Sequence, residues 1–423
     1  MQATGRSLPT SSWVDRLDAL AFVLLAVMPL GMALVNRSAQ PLLGAAALAA
    51  LAARVSAGDL GDVRDRMARL VRTPIGMGCL AFLLFAAISI GWSHHPKTSL
   101  SAYGELLLSG GAAILLHAAL PRRVPGWVVK LATVAIAMGC LAIVAELATD
   151  MAFRTSLGVR NATFIFKRSV SAILVLGWPV AAFLWITGRR PIAVAAALLL
   201  GVATYAAHSS ATALGLTAGL AAAILAARSP RLGSRVLAAA FAVAMLSAPV
   251  IGEAASRILP PQFVEKLHFA HAADRIAIWQ SFGEVVKRRP IAGAGFGTSP
   301  VMNKEPVADE VPPERRLLLG AWHPHSGYLQ VWAETGLVGA ALFGVTLILA
   351  LLGIGQFGRA RAAATCAMIA SAGAIMLVGH GLWQGWWGAV IGASAIWLAR
   401  LPDGAAADAA KVRPALRPAP AAP

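Results

Sequence analysis

Residues 321–340 read AWHPHSGYLQVWAETGLVGA, a segment in which a polar loop turns into a long apolar run. His323 and His325 lie at this junction, and Pro324 between them disfavours helix at His323 while favouring a helix start just beyond. The apolar run continues to residue 354, which is long enough to cross a hydrocarbon core of about 30 Å. The segment therefore predicts a membrane-spanning helix with two titratable side chains at its mouth.

The composition of the whole chain is typical of a membrane protein. Of the 423 residues, 58% are hydrophobic and 13% are charged, and the mean hydropathy is +0.70, whereas soluble proteins carry roughly 25% charged residues. Cys79, Cys140 and Cys366 all lie in apolar stretches and form no CxxC pair, so they indicate neither a disulfide framework nor a metal site. The prediction is an all-α polytopic membrane protein.

Apolar blocks between polar breaks predict about twelve transmembrane helices and one large, partly helical loop outside the cytoplasm. The predicted domains are 1–251 with nine helices, 252–325 as the large loop, 326–402 with three helices, and 403–423 as a disordered tail. The predicted spans lie near 18–36, 40–53, 75–92, 101–119, 127–146, 169–187, 191–207, 210–227, 236–251, 327–354, 363–381 and 385–400.

The short connections predict the orientation of the chain. Arginines concentrate in the connections near 54–72, 122–123, 189–190, 228–235 and 359–361. Because short cytoplasmic loops are enriched in Lys and Arg, this pattern predicts that both termini are cytoplasmic. The same rule accounts for most of the net charge of +17, so the charge does not indicate a nucleic-acid partner.

Two connections on the opposite face break this rule. The loop at 252–325 carries nine Lys and Arg residues, and the loop at 147–168 carries four, namely Arg154, Arg160, Lys167 and Arg168. Long loops cross the membrane largely regardless of charge, so one such loop alone means little. Two cationic loops on one face predict an electropositive cleft that attracts an anion.

Within the large loop, residues 274–289 predict an amphipathic helix with one apolar stripe. Asp274 is the predicted N-cap, and the next proline stops the helix. Arg275 in the first turn opposes the helix dipole, which indicates either an anion-binding role or pairing with Asp274. The glycine-rich run at 293–297 is interpreted as a tight turn, with the presentation of N–H groups to a phosphate as the alternative.

The two histidines at the junction allow three interpretations. Histidine takes and gives a proton near neutral pH, which favours a general base or acid. The rings could instead bind a metal together with His268 and His271, although the spacing fits no zinc pattern, or they could be structural. Glu334 is costly to bury in the next span, and we therefore expect it to orient His325 or to pair with an arginine.

Four aromatic residues near the end of the chain receive structural interpretations. His380 is interpreted as a packing residue at the end of the eleventh span. The tryptophans that follow are interpreted as anchors at the membrane interface, namely Trp383, Trp386 and Trp387.

Three motifs together resemble the O-antigen ligase and polymerase family. They are DRIAIW at 274–279, PIAGAGFG at 290–297 and HPHSGYLQVWAETGLVG at 323–339, and WSHHPKTSL at 92–100 is similar to an early outside loop of the family. The resemblance implies a glycosyltransferase of the bacterial inner membrane with a periplasmic active site. It implies no nucleotide sugar, no metal and no other cofactor.

The resemblance also implies the substrates. The donor would be a glycan on undecaprenyl diphosphate, held among membrane lipids. A ligase would place the glycan on lipid A-core, whereas a polymerase would join lipid-linked repeat units and an O-linked protein oligosaccharyltransferase would modify a protein. A transporter of lipid-linked glycans is the alternative from another class, but the predicted spans carry few ionisable residues. The preferred prediction is the ligase.

The resemblance further implies roles for individual residues. His325 aligns with the catalytic histidine of the family motif, with His323 two residues away as the other candidate base. Arg275 aligns with an arginine that binds the donor diphosphate through a planar, bidentate fork, and Asp274 and Glu334 would support the site. Direct attack of the acceptor hydroxyl would invert the anomeric configuration.

The chain departs from the family at one position. A further diphosphate-binding arginine is expected where this chain has Ala211. Arg168, with Lys167 and Arg160 behind it, is the predicted substitute, because these cations lie at the entrance to a span on the same face.

Overall fold

The computed structural model describes residues 12–159, 162–266 and 271–402. The predicted tail at 403–423 and Arg160 lie outside the described residues. The helices in chain order are α1 Trp13–Ala26, α2 Met28–Leu34, α3 Ala39–Ala57, α4 Leu60–Val71, α5 Pro74–Ser89, α6 Pro96–Ala119, α7 Gly126–Ala148, α8 Ala152–Ser156, α9 Phe166–Ile186, α10 Arg190–Ala206, α11 Ser210–Arg228, α12 Pro230–Ser247, α13 Ile251–Ile258, α14 Pro261–Lys266, α15 Ala272–Arg288, α16 Val307–Glu310, α17 Pro313–Arg316, α18 Gly327–Gly353, α19 Arg359–Val378 and α20 Gly385–Ala399.

The prediction of a polytopic helical protein is confirmed. In the described ranges, nine helices are long and apolar enough to cross a membrane, and the bent pair α1 and α2 adds a tenth. The other two predicted spans correspond to α10 and α20, which are apolar but have 17 and 15 residues. The number of about twelve therefore stays a prediction, as do the cytoplasmic termini.

The large loop is partly helical, as predicted, and contains α13 to α17. The predicted amphipathic helix at 274–289 exists as α15, which starts two residues earlier at Ala272. Asp274 is therefore not the N-cap; that position belongs to His271, whose φ is +51° and whose side chain makes no capping bond. Asp274 lies in the first helical turn, where its carboxylate is 3.3 Å from the His271 ring nitrogen.

Buried polar bonds fix the helices that carry the site. The indole Nε1 of Trp178 in α9 donates to Ser371 Oγ in α19, and that hydroxyl donates to the Gly215 carbonyl in α11, both at 2.8 Å. Near the start of α9, Ser169 Oγ donates to the Met32 carbonyl in α2 at 2.6 Å. These bonds fix α9 against α2 and α19, and α19 against α11.

The long helix α18 is interrupted at Gly336, where φ is 60° and ψ is −159°. The loop after α15 enters this interruption. The N–H groups of the next two residues of α18 donate to the carbonyls of Pro290 and Ile291 at 2.8 and 3.1 Å. In return, the loop N–H groups at 294 and 295 donate to the carbonyls of residues 333 and 334, each at 2.9 Å. The backbone groups that the break leaves unpaired inside the helix are therefore satisfied.

Two glycines make this close approach possible. A Cβ atom at Gly336 would lie 2.4 Å from the carbonyl carbon of Ile291, and one at Gly293 would lie 2.3 Å from the carbonyl carbon of Glu334. Gly293 also has a φ of +69°, a region that costs other residues roughly 1–2 kcal/mol. The glycine run predicted to be a tight turn is confirmed as one, since it folds against the α18 break.

We expect Gly293→Ala to destabilise the protein, because the added methyl group meets backbone atoms that cannot move aside. The measurement is the thermal unfolding temperature in detergent, compared with Gly110→Ala. A Cβ atom at Gly110 in α6 meets nothing within 4 Å, so this control is expected to be neutral or stabilising by about 0.5–1 kcal/mol. Equal unfolding temperatures for the two variants would contradict the backbone interlock, meaning the hydrogen-bonded contact between the loop at 290–295 and the break of α18.

Candidate functional site

The segment before α18 holds the two predicted histidines in a contorted backbone. Trp322 and His325 have φ values of +65° and +50°, which is uncommon for residues other than glycine and concentrates at functional sites. The His325 N–H donates to the His323 ring nitrogen Nδ1 at 3.1 Å, and the two ring centroids are 4.3 Å apart. The structure therefore brings both imidazoles into one site.

The neighbours of the two rings assign their tautomers. His325 Nδ1 is 3.2 Å from the Gly379 carbonyl oxygen, which only accepts, so Nδ1 carries the proton and Nε2 keeps a lone pair. His323 Nδ1 accepts a backbone N–H, so in the neutral ring the proton is on Nε2. The site consequently offers one nitrogen acceptor from His325 and one N–H donor from His323.

Electrostatics keeps these rings neutral. Burial lowers the pKa of His325, and the positive charge of Arg275 lowers it further. Burial lowers the pKa of His323 to about 3, with smaller contributions from the other histidines and from Arg168. Each ring is therefore uncharged near neutral pH and can act as a base or as a neutral donor.

His380 is a third imidazole of the site that the sequence analysis interpreted as a packing residue. It follows Gly379, the residue whose carbonyl orients His325, and its ring makes an edge contact with Trp386 at 5.2 Å between centroids. Burial lowers the pKa of His380 to about 3, and its neighbours Arg168, His325 and Arg275 contribute further lowering. In the sequence, the glycines on both sides of His380, at 379 and 381, were the feature that could have indicated a role for this histidine in the site.

Arg168 and Arg275 come from different helices; the charge of Arg168 lowers the pKa of His323, that of Arg275 lowers the pKa of His325, and both lower the pKa of His380. Both are half-buried, and in the described part of the chain no carboxylate lies within ion-pair distance of either guanidinium. Burial without a partner lowers the pKa of Arg275. The alternative that Arg275 pairs with Asp274 is therefore wrong, since Asp274 contacts His271 instead. Arginine forks of this kind are suited to bind phosphate or carboxylate groups, and anion binding by Arg168 and Arg275 stays a prediction.

Five of the ten other described cations of the two predicted loops pair with a carboxylate. Arg315 donates to Glu253 and Glu284 at 2.8 and 2.9 Å, Arg289 pairs with Glu310, and Lys287 donates to Glu284 at 2.7 Å. Other cations with partners are Arg316 with Asp309 and Arg154 with Glu146. These ion pairs neutralise half of these ten described cations, and the electropositive cleft itself stays a prediction.

Lys167 lies close to this site in the chain and Ala211 in space, but no hydrogen bond joins either residue to the histidines in the described structure. Lys167 precedes Arg168 in α9, and in the described structure no contact joins its ammonium group to the histidines. A Cβ atom at Gly379 would lie 3.5 Å from Ala211 Cβ, so the position where a family arginine was expected is beside the carbonyl that orients His325. Because α9 and α11 meet through the Ser171 and Thr212 hydroxyls at 2.8 Å, Arg168, one turn before Ser171, approaches from the adjacent helix.

Glu334 has a different role from the one expected. Its fully buried carboxylate accepts four hydrogen bonds, from Gly297 N at 2.6 Å, Ser299 N at 3.2 Å, Gln330 Nε2 at 2.9 Å and Trp383 Nε1 at 2.7 Å. It contacts neither His325 nor an arginine. The N–H groups of the glycine turn are used internally, so they do not form a phosphate cradle.

Gln330 extends this network to the loop that carries His380. Its side-chain oxygen accepts the Leu382 N–H at 2.8 Å while its nitrogen donates to Glu334. The interpretation of the three tryptophans as interfacial anchors is wrong, because their side chains are 0–6% exposed. Trp383 donates to Glu334 instead, and Trp386 packs against the His380 ring.

The described residues contain no group of three or more His, Cys, Asp and Glu side chains arranged to hold a metal ion. His268, one of the four histidines in the metal alternative, lies outside the described residues. Within the described ranges, the arrangement provides two arginine forks, one imidazole acceptor and imidazole donors at one end of a helical bundle.

The fold and site define a multi-pass membrane protein with a cationic, histidine-containing centre. Residues 194–344 match the sequence model of the family described as O-Antigen ligase, so the resemblance predicted from the motifs is confirmed over this region. The match contains Arg275, His323, His325 and Glu334, while Arg168 and His380 lie outside it.

Two curated relatives carry the printed name "Putative polysaccharide ligase". The chain is 26% identical to the protein from Rickettsia felis (strain ATCC VR-1525 / URRWXCal2) over 244 residues, which cover 56% of this chain and 57% of the relative. It is 30% identical to the protein from Rickettsia bellii (strain RML369-C) over 150 residues, which cover 34% of this chain and 35% of the relative. The chain thus spans about half or less of the length of these relatives.

We expect Glu334→Gln to lower the free energy of unfolding, because one acceptor oxygen is replaced by an NH₂ donor that faces other donors. A loss of about 1–3 kcal/mol is expected for one buried polar group left unsatisfied. The measurement is the free energy of unfolding, with Glu314→Gln as the control because Glu314 is exposed. An unchanged value for Glu334→Gln would contradict the four-donor network.

Proposed function

We propose that this protein is an O-antigen ligase that transfers a glycan from undecaprenyl diphosphate to a sugar hydroxyl of lipid A-core on the periplasmic face of the inner membrane. The observation that carries the proposal is the contact between the His323 and His325 rings, whose centroids are 4.3 Å apart, with His325 oriented by the Gly379 carbonyl. It is joined by Arg168 and Arg275, whose charges act on these rings and which have no carboxylate partner in the described ranges. The family match and the names of the relatives support the glycan-transfer part.

The donor diphosphate would take the place of the missing carboxylates. Arg275 comes from α15 and Arg168 from α9, so the two forks reach the site from separate helices. Guanidinium groups bind phosphate oxygens bidentately, and they stabilise the negative charge that grows on the diphosphate as the glycosidic bond breaks. Lys167 and Arg160 would add long-range attraction for the same anion.

His325 is the proposed general base. Its Nε2 lone pair would accept the proton of the acceptor hydroxyl while that oxygen forms a bond to the anomeric carbon. The bond from that carbon to the diphosphate oxygen breaks on the opposite face, so the configuration inverts and undecaprenyl diphosphate leaves. The imidazolium then returns its proton to solvent or to the leaving diphosphate. His323, with its Nε2 proton, would donate a hydrogen bond and is therefore not the base.

The lowered pKa of His325 suits this role when the donor is bound. In the empty site, burial and the charge of Arg275 keep the ring neutral. An incoming diphosphate offsets the positive charge of Arg275, which raises the affinity of His325 for a proton at the moment when it must accept one. The base is thus available before the donor binds and stronger afterwards.

The functional test is a deletion strain complemented with wild-type protein or with His325→Asn. Asparagine removes the base but tolerates the left-handed backbone at this position better than alanine does. Deletion is expected to leave bare lipid A-core and long glycan chains that are not attached to it, as seen by gel and glycan blotting. His325→Asn is expected to lower transfer by about 10²–10⁴-fold, with normal expression and membrane insertion.

The matched control is His208→Asn, an exposed histidine at the same end of the bundle with a φ of +46°, which should complement fully. Lipid A-core that carries a single repeat unit without a ladder would identify a polymerase instead. An unchanged glycan pattern in the deletion strain would overturn glycan transfer to lipid A-core. Full activity of His325→Asn would overturn only the assignment of the base.

Two substitutions at Arg275 separate binding geometry from charge. Arg275→Lys keeps the positive charge but loses the fork, and Arg275→Gln loses both, so both variants should raise the KM for the lipid-linked donor at least tenfold. Removing the charge should raise the pKa of His325. Because the base must be neutral, the acid limb of the kcat profile should move to higher pH in Arg275→Gln alone.

The acid limb of the wild-type kcat/KM profile, which reports the donor-free protein, should lie below pH 6.5, since the pKa of His325 is lowered from its ordinary value of 6.5. The measurement is transfer by purified protein over a pH series. Coincident acid limbs for wild type and Arg275→Gln would contradict the electrostatic coupling. An unchanged KM in Arg275→Lys would contradict bidentate diphosphate binding.

A further inference from the structure

A short basic helix lies at the end of the bundle opposite the histidines. Helix α4 joins the ends of α3 and α5, while the other end of α5 contacts the glycine turn through the bond from Phe296 N to Ser89 Oγ at 3.0 Å. Only Val63 of α4 is buried. The helix is amphipathic, with apolar residues at 60, 63, 67 and 71 and arginines at 64, 66 and 69. This pattern is typical of a helix that lies in the membrane interface.

A broad apolar cavity of about 540 Å³, wide open to its surroundings, lies between α3, α4 and α6. This volume lies within the roughly 300–1,000 Å³ of small-ligand sites. Its walls are almost entirely apolar and are formed by Leu51, Leu60, Val63, Met67, Val71 and Leu115. A hydrocarbon chain matches such walls, whereas a free inorganic anion would gain nothing from them.

Two arginines complete the lining of this cavity, Arg64 and Arg72. Arg64 is 3.7 Å from the adjacent Asp65 carboxylate, and both side chains are exposed. In the described structure no carboxylate is within ion-pair distance of Arg72. By contrast, Arg66 points away from the cavity and donates to the Ala118 carbonyl at 3.2 Å. The cavity thus combines hydrocarbon walls with cations that have no strong partner.

We propose that this cavity binds an anionic phospholipid, with an acyl chain against the apolar walls and the headgroup phosphate on Arg64 and Arg72. The charge of the rim is complementary to a phosphate, and the interfacial position of α4 places that rim at headgroup height. The site is on the face that the charge distribution predicts to be cytoplasmic, so it is separate from the proposed donor site and independent of the proposed reaction.

The test is native mass spectrometry of the full-length protein in detergent, titrated with dioleoyl phosphatidylglycerol or dioleoyl phosphatidylcholine. The wild type is expected to bind phosphatidylglycerol more tightly. Arg64→Gln combined with Arg72→Gln should weaken that binding about tenfold or more, from the loss of two headgroup contacts. The matched control is Arg122→Gln with Arg123→Gln, which removes equal charge from exposed residues of the same face and should change the affinity less than about twofold.

Binding of the acyl chain in the cavity is tested separately by Ala68→Phe, which fills the cavity from α4 without a change of charge. This variant should also weaken phosphatidylglycerol binding. Equal losses in the two double variants would mean diffuse attraction to a basic surface and would overturn the proposal. Undiminished binding to Ala68→Phe would overturn it as well, because the arginines would then hold headgroups with no chain in the cavity. Equal affinity of the wild type for both lipids would exclude recognition of the anionic headgroup.

Discussion

The backbone interlock between the loop at 290–295 and the break of α18 is the constraint on which the site depends. A helix interrupted away from water must satisfy its freed backbone groups, and here the loop supplies the partners. The close approach requires glycine on both sides, at 293 and 336. Since α15 leads directly into this loop, the interlock sets the position of α15, and with it Arg275, relative to the helix that follows His325.

The buried carboxylate of Glu334 extends the same constraint across the site. It holds the turn after Gly293 on one side and, through Gln330 and Trp383, the loop that carries His380 on the other. Two segments far apart in sequence are thereby attached to one turn of α18. The loop that carries His380 is thus positioned by a carboxylate that contacts neither the imidazoles nor an arginine.

The distribution of ion pairs gives the site its selectivity for charge. The acidic residues of the large loop pair with Arg289, Arg315 and Arg316, so these cations stabilise the loop and do not compete for substrate. Arg168 and Arg275 remain for an anion, and their charges help to keep the imidazoles neutral. In the proposed reaction, one pair of side chains would therefore bind the donor and set the protonation state of the base.

The sequence by itself determined the helical membrane architecture and the resemblance to the ligase family, and it predicted Arg275, His323 and His325 as site residues, because hydropathy and local motifs are properties of neighbouring residues. Only the tertiary structure decided which cations are free, which nitrogen of His325 accepts a proton, and what Glu334 does. It also showed that the His380 ring packs against Trp386 and that the three tryptophans are buried inside the protein. These outcomes depend on partners from distant helices, and no local pattern encodes the distance between a side chain in α9 and one that follows α19.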